Sequence, residues 1–141
     1  MKKYVINKCF GGFSLSHLPV KMLYEKKNIP IYFYKKDETS KKPEWHLVNE
    51  VKNDESYIVS STYMGESFGK IMPKNYEVVN YYFIDRADED LVSVVETLGD
   101  DANTSFSRLK IVEIPDECAD NVYIDEYDGI ESVHENHMSW Q

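Results

Sequence analysis

The chain is poor in the residue types that most directly announce a chemistry. Its 141 residues hold two cysteines, Cys9 and Cys118, far apart in sequence. Neither belongs to a CxxC pair, and the four histidines (His17, His46, His134 and His137) complete no zinc-ligand spacing with them. Two free thiols fit a reducing cytosol, with Cys9 as a small residue at a strand end. Arginine is also scarce: Arg86 and Arg108 are the only two among 16 basic residues, which face 25 acidic ones for a formal charge of −9. A duplex-DNA binder needs a basic footprint to release counterions, and this balance argues against one. Mimicry of DNA is disfavoured too, because the charges alternate in sign instead of forming a long acidic run. No stretch approaches the ~18 apolar residues of a membrane span, and Met1-Lys2-Lys3-Tyr4-Val5-Ile6-Asn7 lacks the apolar core of a secretory leader. The expected setting is a cytoplasm, with no membrane, no duplex nucleic acid, no metal and no resident cofactor.

Aromatic residues are plentiful instead. Eleven Tyr, six Phe and two Trp exceed what a core of this size needs, so some are expected at a surface or pocket. A hydrophobic share of 42% and a charged share of 29% are ordinary for one globular domain, here residues 1–141.

Residues 3–10 are rich in β-branched and aromatic types and stop at Gly11-Gly12, which predicts a strand running into a breaker. Leu15, Leu18, Met22 and their flanks Val20 and Leu23 then recur at helical spacing, with Ser16 as N-cap and an end near Asn28. Ile31 to Tyr34 predicts a second strand, and residues 35–44 a charged loop. Trp45–Val51 and Tyr57–Tyr63 predict a hairpin around Asn53-Asp54, followed by a loop over 64–76. Val78–Ile84 predicts a further strand. Asp88 predicts the cap of a second helix whose apolar face is Leu91, Val94, Val95 and Leu98 and whose stop is Gly99. Leu109–Ile114 predicts a strand ended by Pro115. Asp128-Gly129 predicts a type I′ turn joining Asn121–Tyr127 to Ile130–Glu135. The expected fold is α+β, a mainly antiparallel sheet of five to seven strands with two helices on one face, self-associating as a homo-oligomer.

Several of these segments resemble a family of small, mostly uncharacterised proteins of tailed phages and prophages. The resemblance lies in Ile6-Asn7-Lys8-Cys9-Phe10-Gly11-Gly12-Phe13-Ser14-Leu15-Ser16, in Asp85-Arg86, and in Leu91-Val92-Ser93-Val94-Val95-Glu96-Thr97-Leu98-Gly99. It continues in Asp101-Ala102-Asn103 and in Leu109-Lys110-Ile111-Val112-Glu113-Ile114-Pro115-Asp116. It ends in Glu126-Tyr127-Asp128-Gly129 followed by His137 and Trp140; where the family usually carries Arg after the terminal His, this chain has Met138. About half the chain is covered, and residues 35–76 lie outside it. The resemblance implies a bacterial cytoplasm during infection and a counter-defence role, but no particular reaction.

A strand, glycines and a helix start can present backbone N–H groups to an anion. Lys8, Gly11, Gly12 and Ser14 would meet phosphates there, although a tight turn alone explains the glycines equally well. Arg86 could clamp a phosphate or pair with Asp85, Asp88 or Asp90, and Arg108 has the same two readings. Trp45, Tyr57, Tyr63, Tyr81, Tyr82 and Phe83 could pack the core or line a pocket, with Tyr82 or Trp45 stacking on a base. His134 and His137 could supply an acid/base pair or stand free in solvent. Asp125, Glu126 and Asp128 read as a solvated hairpin end. The resulting expectation is a binding protein that sequesters a small anionic nucleotide-derived immune signal, a cyclic nucleotide or an ADP-ribose derivative. The alternatives are a phosphodiesterase-like enzyme using His134 or His137, and a protein inhibitor of a host effector.

Overall fold

The computed structural model describes residues 1–37, 44–118 and 121–135. Val5 and Ile6 give the first strand, β1 (Lys2–Asn7), the branched side chains that suit a pleated surface. Its sheet partner is the strand Leu109–Ile114, antiparallel, with Lys2 opposite Ile114 and Asn7 opposite Leu109. Two ten-residue helices, α1 (His17–Lys26) and α2 (Glu89–Leu98), pack with this ladder around one core. Val5, Leu23, Tyr24, Leu91, Val94 and Val95 form its centre, with Leu109 and Ile111 against it. None of the described helices is long and apolar enough to cross a membrane.

Local signals govern α2. Asp88 accepts hydrogen bonds from Asp90 N and Leu91 N, both at 3.0 Å, and Gly99 ends the helix at φ 56°. Long-range partners govern the start of α1. Ser16 does not cap through its side chain; its hydroxyl donates to Asp101 O (2.9 Å). Tyr81 Oη and Asn53 Oδ1 take the amides of Leu15 and Leu18. At the far end of α1, Lys27 reaches Asp88 (2.6 Å) and Asp90 (3.2 Å) and ties the two helices together.

The second sheet is β2 (Tyr32–Lys36), β3 (Trp45–Val48), β4 (Ile58–Ser60) and β5 (Ser67–Phe68), in the order β4-β2-β3-β5. The expected hairpin between Trp45–Val51 and Tyr57–Tyr63 does not form. β3 and β4 instead flank β2, whose fully buried Phe33 and Tyr34 require the central place. Val78–Ile84 is not a strand either. It makes one bridge, Ser60 to Val78, and then turns, because Asn80 Oδ1 captures Tyr82 N and Ile84 N bonds Tyr81 O. Leu109–Ile114 is β6, and a hairpin of β7 (Val122–Tyr127) and β8 (Ile130–Glu135) follows. Its turn has Asp128 at φ 51° and Gly129 at φ 86°, as a type I′ turn demands. The class is thus α+β with antiparallel pairing throughout the described sheets, its eight strands divided among three of them.

The hairpin is held to the core along the open edge of β1. Lys8 N donates to Arg108 O (2.7 Å), so the even-numbered amides of this strand face β6 and the odd-numbered ones face outward. Val5 N bonds Arg86 O (2.9 Å), and Asn7 N bonds Glu131 Oε1 (2.8 Å). Arg86 closes the arrangement with two bonds to Glu131 (2.5 and 2.7 Å) and one to Val5 O (3.3 Å). Its guanidinium also lies 3.5 Å from the centre of the Phe13 ring.

Removing one partner of a buried ion pair leaves an uncompensated charge, at a cost of about 3–5 kcal/mol. Glu131→Ala should therefore lower the melting temperature by roughly 10 °C in a chain of this size. Asp125→Asn, an equal charge change on an exposed residue, should move it little. A loss for Glu131→Ala no larger than for Asp125→Asn would show that the pair does not hold the hairpin.

Candidate functional site

The chain leaves β1 through a turn that the buried Asn7 organises. Its Nδ2 donates to Cys9 O and Gly129 O (both 2.7 Å), and its Oδ1 accepts from Cys9 N (3.2 Å) and Arg108 N (2.9 Å). The β7–β8 turn is thereby pulled onto the Gly-Gly loop. Three glycines permit the approach. A Cβ on Gly11 would sit 2.2 Å from Phe106 O, one on Gly129 would sit 2.3 Å from Phe10 O, and Gly12 has φ 88°. These contacts account for glycine at 11, 12 and 129 without any ligand. Ser14 is engaged as well, its hydroxyl bonded to Thr104 Oγ1 (2.7 Å) and its carbonyl to Ser107 Oγ (2.9 Å).

Two cations remain free on top of this frame. Lys8 and Arg108 continue the β1–β6 register and stand directly across from each other. Both are exposed, and neither has a carboxylate within ion-pair distance among the described residues. Like charges directly opposed across a ladder are unfavourable. In the turns just beyond the ladder lie Phe10, 73% exposed, and Phe106, 70% exposed. The amides of Phe10 and Gly11 have no protein acceptor among the described residues. Cations, rings and free amides thus follow one another in the two chain segments that leave the end of the ladder.

The other expected site residues are dispersed. Arg86 is committed to Glu131, not to Asp85, Asp88 or Asp90, two of which Lys27 already holds. Tyr82 is exposed beside the loop, stacked on Tyr81 at 4.8 Å with its hydroxyl on Phe13 O. Trp45 belongs to the other sheet and stacks on Phe68; it shares no hydrogen bond or ring contact with the loop. His134 is exposed on β8, stacked on Tyr123 and bonded to Ser132 Oγ at 2.7 Å. His137 lies outside the described residues, as do Met138 and Trp140. Asp125, Glu126 and Asp128 form the exposed hairpin end, where Glu126 accepts from Gly129 N. No group of three or more His, Cys, Asp or Glu among the described residues is placed to hold a metal.

No family model, curated protein or solved structure matches the chain.

Asn7, Phe10, Phe106 and Glu131 were not singled out from sequence. For Asn7 a signal existed, a polar residue closing the apolar run Tyr4-Val5-Ile6, but its four partners come from three other segments. Phe106 also lines a cleft of about 320 Å³ with His17, Asn53, Asn103, Thr104 and Ser105. His17 makes edge-on contacts with Phe33 (6.1 Å) and Tyr57 (5.1 Å), and burial holds its pKa below the usual 6.5.

That depression has a signed consequence. As pH falls through 6.5 the unfolded chain takes up a proton that the folded chain resists, so stability is lost on acidification. Stability should rise with pH across the window between the folded value and 6.5. His17→Phe, which keeps the ring and removes the titration, should flatten that rise in melting temperature measured against pH. An unchanged slope would locate its origin elsewhere.

Proposed function

We propose that this chain is a binding protein, not an enzyme, for a small anionic, ring-bearing ligand of the nucleotide class. The observation that carries the reading is the Lys8–Arg108 pair, two exposed cations brought together by the Lys8 N–Arg108 O bond and without an ion-pair partner among the described residues, each two positions along the chain from an exposed phenylalanine, Phe10 or Phe106. Phosphate oxygens would relieve the mutual repulsion of the cations, with Arg108 able to bind in two-pronged fashion. The Phe10 and Gly11 amides add neutral donors, and the rings offer faces on which a base can stack. Tyr82 extends the aromatic rim. The resemblance to tailed-phage proteins supplies the setting: sequestration of a nucleotide-derived immune signal in an infected bacterial cytoplasm. Binding without turnover suits a surface whose only imidazole in the described part of the hairpin, His134, stands away from the cations on an exposed strand.

A thermal-shift panel of cyclic nucleotides and ADP-ribose derivatives tests this directly. A ligand at 100 times its Kd stabilises the folded state by about 2.7 kcal/mol, well within detection. Lys8→Ala and Arg108→Ala should each weaken binding by roughly tenfold, in line with the loss of one charge-assisted contact, with little change in the unliganded melting temperature. Mass spectrometry after heat release should recover the ligand intact. A changed mass would favour the phosphodiesterase-like alternative. No shift with any member of the panel would sink the reading, and a stable complex with a host protein in the absence of nucleotide would replace it.

A further inference from the structure

The outer strand of the β7–β8 ribbon carries bare main chain. β8 lies against β1, where Glu131 meets Asn7 N, so β7 faces outward. The two-residue turn fixes which of its groups are free. In a type I′ hairpin the flanking residues, here Tyr127 and Ile130, exchange both main-chain bonds, and the exchange recurs at every second pair. Tyr127, Asp125 and Tyr123 therefore bond to β8, while Val122, Ile124 and Glu126 turn their N–H and C=O groups away from it. None of those three amides has a protein acceptor among the described residues.

Other strand edges are at least partly occupied. On β1, Arg86 O and Glu131 take the outward amides of Val5 and Asn7. On β6, Asn103 takes Leu109 N, and Pro115 follows the last residue. On β4, Ser60 bridges Val78 and Ser61 N bonds Glu77 O. β7 has no such cover among the described residues. It also lacks a lysine, a proline or a bulge, the usual devices that keep a strand edge from pairing.

The side chains of β7 suit one occupant, a second copy of the same strand. Antiparallel pairing about a two-fold axis at Ile124 joins Ile124 to its counterpart and Val122 to Glu126 of the second copy. Every outward amide and carbonyl of both strands then has a partner. At the flanking positions the exposed Tyr123 stands opposite Asp125 of the second copy. No carboxylate is placed directly opposite another. Moving the axis to Asp125 would set that residue against itself, a like-charge pair that costs stability. Moving it to Tyr123 would carry Glu126 past the start of the other strand.

We propose that this chain forms a two-fold dimer through β7, with a continuous sheet in the order β8-β7-β7-β8. Lys8 and Arg108 take no part in it, so it stands apart from the ligand reading above. Two chains of charge −9 repel each other, and the two Asp125 carboxylates lie diagonally across the axis. Association should therefore strengthen as salt screens these charges.

Sedimentation equilibrium over a dilution series reads the association directly. A reversible dimer in the micromolar range is expected for so short an edge, tighter at physiological than at low salt. In the dimer, hydrogen exchange at the Val122, Ile124 and Glu126 amides should slow, while that at Phe10 and Gly11 should not change. Tyr123→Asp sets a carboxylate against Asp125 on both sides of the axis and should weaken the dimer by roughly tenfold. Tyr123→Lys should leave it as tight or tighter. Combining Tyr123→Asp with Asp125→Lys exchanges the charges and should restore association, which separates a lost contact from a misfolded ribbon. A dimer indifferent to these variants, or one that protects other amides, overturns the pairing at β7. A chain that stays monomeric at millimolar concentration overturns it too, and leaves the edge to an extended segment of a different protein.

Discussion

Arg86 and Glu131 form the interaction on which the arrangement of the molecule depends, because they complete a sheet edge that no strand covers. β1 has β6 on one side only, and its outward amides at Val5 and Asn7 would otherwise be left bare. A main-chain carbonyl from Arg86 and a carboxylate from Glu131 take those two donors, and the Arg86 guanidinium donates to both Val5 O and the Glu131 carboxylate. A side-chain pair thus stands in for a strand. The β7–β8 ribbon depends on it, since a lone two-stranded hairpin is marginal in water. An apolar pair of similar volume could match its contribution to stability. It could not supply a buried acceptor to Asn7 N, so the ionic version also fixes where the ribbon sits.

That placement determines what is available at the surface. With the ribbon seated, Gly129 presses on Phe10 O, and Asn7 ties the loop, the start of β6 and the turn into one rigid unit. Arg86 directs both Nη atoms at Glu131 and one also at Val5 O, which fixes its guanidinium inside this unit. At this end of the ladder the cations without an ion pair among the described residues are Lys8 and Arg108. In the proposed reading, structural and binding roles are therefore divided between the two arginines of the chain, one paired with Glu131 and the other facing solvent.

Legibility from sequence followed the range of the interactions. The helix α2 could be read because its cap, apolar face and stop lie within twelve residues and are self-sufficient. The Asp128-Gly129 turn could be read for the same reason, since its backbone demand is local. Strand pairing in the second sheet could not, because β3 and β4 pair with β2 on either side and not with each other, an order that goes with burying Phe33 and Tyr34. Residues 78–84 look apolar enough for a strand, yet Asn80 offers the backbone a nearer partner. At the site, Lys8, Gly11, Gly12 and Arg108 were all legible as candidates. That Lys8 and Arg108 oppose each other required the β1–β6 register. That Arg86 is withdrawn required Glu131, 45 residues away on a strand whose alternation shows nothing unusual.

The acidity of the chain then works with a small basic site instead of against it. At physiological ionic strength a charge is felt over about 8 Å, so in the proposed reading Lys8 and Arg108 would act on a ligand held at the end of the ladder while distant carboxylates among the 25 acidic residues would not. An extended polyanion has to lie across surface of the opposite character. A compact one, with its charge gathered at one end and a flat ring at the other, touches only the open end of the ladder. In the proposed reading a net charge of −9 thus favours a compact anion over an extended one, and the exposed aromatics favour one that carries a flat ring. In the proposed reading this combination is what separates a free nucleotide signal from the nucleic acid that surrounds it.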